Sequence, residues 1–185
     1  MHRDYLKRLL QQYNPVNVEE QVVKRQMLDF LKTCEDCFER SCIIGHFTAS
    51  AWLVNRDLSK ILLMHHKKAN RWLQLGGHCD GDGNLLRVAI KEAREESGIK
   101  DIMPIHENIF DIGMHLIPQF KQELPHYHFD VRFLLKANDD KLTMNEEANS
   151  LKWFISDVKA LPTSNYSILH MLEKWKQYQK IIRVG

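Results

Sequence analysis

The chain has 185 residues, 44% of them hydrophobic, enough for one globular domain with its own core. Lysine and arginine total 26 against 24 acids, and a formal charge of +2 gives no electrostatic footprint for nucleic acid or for an anionic membrane surface. No apolar run approaches the roughly 20 residues of a membrane span, the start MHRDYLKRLLQQY lacks the apolar core of a secretory signal, and four cysteines do not make a disulfide scaffold, so a cytoplasmic protein without membrane partners is expected.

The first 41 residues read as a helical extension. DYLKRLLQQY predicts a short helix that ends before Pro15. NVEEQVVKRQMLDFLKT predicts a second helix, with Asn17 as N-cap and Glu19 and Glu20 in the first turn, where the dipole favours anions. Val22, Leu28, Phe30 and Leu31 are its expected apolar contacts. These helices are expected to serve packing or the formation of a homodimer. Cys34, Cys37, Cys42 and His46 are spaced as a zinc site could be, but Cys42 and His46 fall in a segment that reads as regular strand, which leaves little room to wrap a metal.

From residue 42 to 185 the texture changes to a second unit. CIIGHFTASAWLV and KILLMHH predict strands joined by a turn at NRDLS, and RWLQL predicts a short strand running into Gly76 and Gly77. IMPIHENIFDIGMHLI, HYHFDVRFLLKA and LKWFI predict later strands. SDVKAL and NYSILHMLEKWKQYQ predict closing helices capped by Ser156 and Asn165. In HYHFDVRFLL, Phe129, Val131, Phe133 and Leu135 alternate with His128, Asp130, Arg132 and Leu134, which is ordinary sheet patterning, and His126 and His128 share one face of the strand. Interleaved strands and helices with short early connections imply an α/β fold with a mixed sheet and helices on both faces.

Between the early and late strands lies LGGHCDGDGNLLRVAIKEAREESGI. Asn84 is placed to cap a helix and Gly98 to end it in the left-handed conformation. Leu86, Ile90, Ala93 and Ser97 share the face expected against the sheet, while Glu92, Glu95 and Glu96 share another, where spacings of three and four bring their carboxylates together. Acidic helix faces are commonly just solvated. Here, however, a strand ending in Gly-Gly leads straight into the helix. Carboxylates beside exposed backbone carbonyls are what Mg²⁺ takes when it bridges to a substrate phosphate.

Residues 77–99 resemble the Nudix box: a glycine, a glutamate six residues on, and then Arg-Glu-aliphatic-x-Glu-Glu-x-Gly-aliphatic. Gly77, Glu92, Glu95, Glu96, Gly98 and Ile99 fall on the pattern, and Ala93 holds the aliphatic position. Trp72 before the glycines and Glu146, Glu147, Trp153 and Phe154 after the box extend the resemblance over about residues 43 to 162. It implies a Nudix-type α/β/α sandwich that uses Mg²⁺ or Mn²⁺ to hydrolyse a phosphoanhydride bond in a nucleoside diphosphate derivative. It further implies Glu92, Glu95, Glu96 and the Gly76 carbonyl as metal ligands, with Glu92, Glu95, Glu146 or Glu147 as general base. Arg71, Trp72, His126 and His128 are the residues we expect at the substrate. A Nudix-fold module that binds a nucleotide or a partner without turnover is the alternative.

The pattern's first glutamate is replaced by Gly83 and its arginine by Lys91. In the family these two pair with each other and steady the loop, so their joint replacement leaves the expected metal ligands intact. Asp80 and Asp82 are the acids expected to reach Lys91 instead. Downstream, IGMHLIP has no tyrosine and a late Pro118, which matches neither of two familiar substrate tags.

Overall fold

The computed structural model describes residues 2–119, 124–144, 146 and 148–184. Two helices come first, α1 (His2–Gln12) and α2 (Val18–Thr33). Asn17 caps α2 as expected, its side chain accepting the Glu20 N–H at 2.8 Å. The buried stripe of α2 runs through Met27, Phe30 and Leu31, with Val23 and Leu28 packed beside it. Val22, expected among the contacts, lies one position off this stripe and is exposed.

The strands are β1 (Gly45–Val54), β2 (Lys60–His66), β3 (Arg71–Leu73), β4 (Leu75–His78), β5 (Ile102–Pro104), β6 (Asp111–Ile117), β7 (His126–Ala137) and β8 (Ala148–Ile155). They form one mixed sheet with the central order β3-β2-β1-β7-β5; β4 pairs with β1, β6 with β7 and β8 with β2. Only β1 and β7 run parallel among the described pairs, in register from Gly45 opposite Tyr127 to Val54 opposite Lys136. The segment RWLQL divides between β3, which pairs with β2, and β4, which crosses to β1.

Helix α3 (Leu85–Ser97) follows β4, and α4 (Tyr166–Val184) closes the described chain. SDVKAL forms only a 3-10 turn at Val158–Ala160, capped by Asp157 and not by Ser156. The Ser156 hydroxyl is engaged elsewhere, accepting the Trp175 indole N–H at 3.1 Å and donating to the Ser59 carbonyl at 3.3 Å. Asn165 does cap α4, accepting the Ser167 N–H at 2.9 Å.

Strand alternation divides the core into two layers. Phe47, Ala49, Ala51 and Leu53 of β1 and Phe129, Val131, Phe133 and Leu135 of β7 face α1, α2 and α3. Trp52, Val54 and Leu134 face the other way, against Ile168, Met171, Leu172 and Trp175 of α4. This is a helix–sheet–helix sandwich, and the two N-terminal helices share the first layer's core with the sheet. No helix among the described residues is long and apolar enough to cross a membrane.

Candidate active site

Helix α3 is built as its sequence dictates. The Asn84 side chain accepts the Arg87 N–H at 3.1 Å, and Gly98 ends the helix at φ 74°, a left-handed turn open to glycine at little cost. Leu86, Ala93 and Ser97 are buried and Ile90 packs against the same core, so the helix is pinned on the predicted face. That leaves the glutamates at the border with β4. Glu96 is buried, and its Oε2 accepts the Gly76 N–H at 2.9 Å. Glu92 lies against Gly77 so closely that a Cβ on that glycine would fall on its carboxylate. Gly76 has φ 156°, and a Cβ there would collide with Ser50 and the Ala49 carbonyl. Gly76 is thus required by the backbone it meets, whereas Gly77 leaves space that the Glu92 carboxylate fills, and together they bring two carboxylates onto the backbone of one strand.

Glu95 sits on the solvent side, its side chain 57% exposed. Lys91 lies between its neighbours, with Nζ 3.3 Å from Glu92 and 3.7 Å from Glu95. The negative charge of Glu92, followed by the hydrogen bond to it, holds the Lys91 ammonium above its ordinary pKa. The expected brace from Lys91 to Asp80 or Asp82 is replaced by two separate forks. Asp82 receives the Arg87 guanidinium at 2.7 and 2.8 Å, and Asp80 receives Arg40 at 2.5 and 2.7 Å. The planar, two-pronged guanidinium matches a carboxylate better than a single ammonium does, and Arg87 stands at the loop end of α3, a turn nearer than Lys91.

The remaining expected residues lie in three places. Glu146 occupies an exposed turn before β8 whose carbonyl accepts Lys67 Nζ at 2.5 Å. Thr143, three residues earlier, donates its N–H to the Ser97 carbonyl at 2.8 Å, which brings this loop to the C-terminal end of α3. Glu147 lies outside the described residues. Arg71 and Trp72 sit on β3, where Trp72 stacks edge-on against Phe154 at 5.1 Å and His65 at 5.3 Å beside an open groove that also includes Pro162 and Asn165. His126 and His128 are on β7, separated from β3 by β2 and β1. The four residues expected at the substrate therefore do not meet.

His126 and His128 instead join His46 of β1 and His78 of β4. Ring centroids lie 4.8 Å apart for His46–His128, 5.0 Å for His78–His128 and 5.1 Å for His126–His128. Burial, helped by neighbouring positive groups, pushes His78 down to about 4 and His128 to about 3, so both rings are neutral near pH 7. His46 therefore belongs with histidines and not with the cysteines, of which Cys34 and Cys42 approach to 2.9 Å.

The polar face of β7 is also dry. Asp130 accepts Ser50 at 2.7 Å, Thr48 at 3.0 Å and Arg132 Nε at 2.7 Å. Arg132 reaches on to Asp111 at 2.5 Å and to His115 at 2.7 Å. Lys174 of α4 then bonds Asp111 at 2.8 Å and Glu20 at 3.0 Å, and His170 bonds Glu20 at 2.6 Å. Sequence patterning gave no sign of this ladder beyond the pairing of unlike charges at Asp130 and Arg132.

The model of the NUDIX domain family matches residues 45–174. The chain belongs to the NUDIX family, and the expectation of a Nudix-type pyrophosphohydrolase stands on that membership. Among solved structures, a MutT protein from Methanosarcina mazei Go1 superimposes with TM-score 0.58 at 17% identity, covering 72% of this chain and 94% of its own. A C. elegans Ap4A hydrolase in a binary complex gives 0.56 at 18% identity, covering 72% of this chain and 97% of its own. A UDP-X diphosphatase gives 0.54 at 14% identity but covers 96% of this chain and 93% of its own, so the shared fold extends over the N-terminal helices. No curated protein matches the sequence.

Proposed function

We propose that the chain hydrolyses a phosphoanhydride bond in a nucleoside diphosphate derivative, with Mg²⁺ or Mn²⁺ held by Glu92, Glu96 and the backbone of Gly76. One observation carries the reading: the carboxylates of Glu92 and Glu96 converge on the Gly76–Gly77 backbone, where a Cβ on either glycine would meet Glu92 or the neighbouring strand. The donor set fits the ion, since a hard divalent cation takes one or two carboxylates and further oxygens and leaves positions for water and phosphate. Bound there, the ion would neutralise the diphosphate and lower the pKa of an attacking water.

The chain's own residues do the rest. Glu96, held by the Gly76 N–H, fixes one ligand oxygen relative to β4. Glu95 is solvent-side, and Glu146 is on the loop docked to the end of α3; we assign to one of these two the removal of a proton from the attacking water. Lys91 tethers Glu92 and Glu95 from outside. Residues 1–41 act as a helical accessory, a division supported by the start of the family match at residue 45. Relatives named for Ap4A and UDP-X chemistry support a small nucleotide derivative as substrate.

The test is a panel of nucleoside triphosphates, nucleotide sugars and dinucleoside polyphosphates incubated with Mg²⁺ or Mn²⁺. Cleavage of a phosphoanhydride in at least one compound, abolished by chelator, is the expected result. Ligand binding without turnover across the panel would favour the non-catalytic module.

A further inference from the structure

Among the described residues, three groups of metal-ligating side chains stand outside the carboxylate face. Glu20, Asp111 and His170 surround Lys174, whose ammonium already takes the place of a cation at 3.0 and 2.8 Å from the two acids. Cys34, Asp36 and Cys42 come from one short segment and offer an exposed carboxylate and two sulfurs. The histidines differ from both, because three separate strands deliver them to one place.

We propose that His46, His78 and His128, joined by His126, bind one divalent transition-metal ion of the zinc type, at a site separate from the carboxylate face. The placement follows from register. His46 and His128 are direct neighbours across the parallel β1–β7 pair, and His78 is opposite Thr48, two residues along β1 on the same face. One ring nitrogen from each of the three lies within 4.8 Å of the others. A tetrahedral ion with Zn–N of about 2.0–2.1 Å holds its nitrogens roughly 3.3–3.4 Å apart, so small ring rotations close the set.

His126 supplies the second observation. Its Nδ1 is 2.8 Å from the Leu124 carbonyl, which can only accept, so Nδ1 carries a proton and leaves Nε2 as the nitrogen able to ligate a metal. That Nε2 is 3.2 Å from Nε2 of His128, already close to the edge length of a tetrahedral site. A ring whose far nitrogen is anchored to a carbonyl is the usual arrangement of a metal-ligating histidine. Imidazoles this close cannot all be charged, and neutral imidazole favours zinc, cobalt or nickel over magnesium, which prefers oxygen.

The two sites are distinct. Successive residues of a strand face opposite ways, so Gly77 meets Glu92 while His78 meets His46 and His128. The histidine site does not depend on the hydrolase reading, since its readout is binding.

The full-length protein, stripped with chelator and kept in excess Mg²⁺, is titrated with Zn²⁺ by calorimetry and with Co²⁺ by absorption spectroscopy. One ion per chain at submicromolar affinity is expected, with cobalt bands of a nitrogen-ligated tetrahedral site. The double variant His78→Asn/His128→Gln should lose more than the roughly 10–100-fold that removal of an anchoring partner costs. Unchanged affinity in the folded double variant overturns the proposal. If that variant does not fold, the native chain decides: thiolate-to-cobalt charge-transfer bands, or no binding tighter than that of Mg²⁺, overturn it equally.

Discussion

Glu96 of α3 accepts the backbone N–H of Gly76 on β4 at 2.9 Å, across the loop that joins strand to helix. The hydrogen bond ties the most buried of the three box glutamates to the strand whose carbonyl is its partner in the proposed metal site. It also defines a clean perturbation, because a glutamine can keep the oxygen acceptor while losing the charge.

Gly77→Ala tests the approach of Glu92. The added methyl would fall on the carboxylate, a flexible end that can swing away. Stability should therefore change by no more than about 1 kcal/mol. The apparent affinity for Mn²⁺ should fall roughly 10–100-fold, because the displaced ligand loses its orientation. Metal titrations of turnover beside thermal melts check both halves.

Lys91→Ala should behave differently. The lysine is 58% exposed and its contacts to Glu92 and Glu95 are surface ion pairs, so stability should stay within about 0.5 kcal/mol of the parent. With a competing positive charge removed from Glu92, metal affinity should hold or rise. A loss of activity equal to that of Glu96→Gln would give Lys91 a role these contacts do not provide.

Glu20 makes acid stability measurable. Burial pushes its carboxyl up, but hydrogen bonds from His170 and Tyr13 and the Lys174 charge outweigh this and hold it down to about 2. A folded-state pKa below the ordinary 4.5 contributes stability that is present above that value and lost as pH falls towards 2. Denaturation at pH 5 and pH 2.5 should show this loss in the parent, and Glu20→Gln should show a smaller one. An identical pH slope in both would remove Glu20 from the explanation.

Arg132→Ala would leave Asp111 and Asp130 buried with one cation fewer. Breaking such a pair from one side costs about 3–5 kcal/mol, and denaturant titration should find a loss in that range. Asp111 keeps Lys174, so the variant should still fold at low temperature.

The parts of this molecule legible in its sequence were those fixed locally. The caps at Asn17 and Asn84, the left-handed Gly98 and the alternation of β7 each follow from a few adjacent residues, and each stands in the structure. The ladder from Asp130 to Glu20 was not legible. Alternation was read as ordinary sheet patterning, which names no partners, whereas the polar residues are paired through β6 and α4. His78 was missed and His46 was grouped with the cysteines for a related reason, since β1, β4 and β7 meet only through long-range pairing. Lys91 was assigned a partner by proximity in sequence, and the arginines, with their forked donors, took both acids first.

The most direct test is metal-dependent hydrolysis of nucleoside diphosphate derivatives by the native chain and by Glu96→Gln, measured side by side with matched thermal melts. Phosphoanhydride cleavage is expected to require Mg²⁺ or Mn²⁺ and to fall at least about a hundredfold in a variant that remains folded. Equal turnover in both proteins, or turnover that persists in chelator, would contradict this expectation.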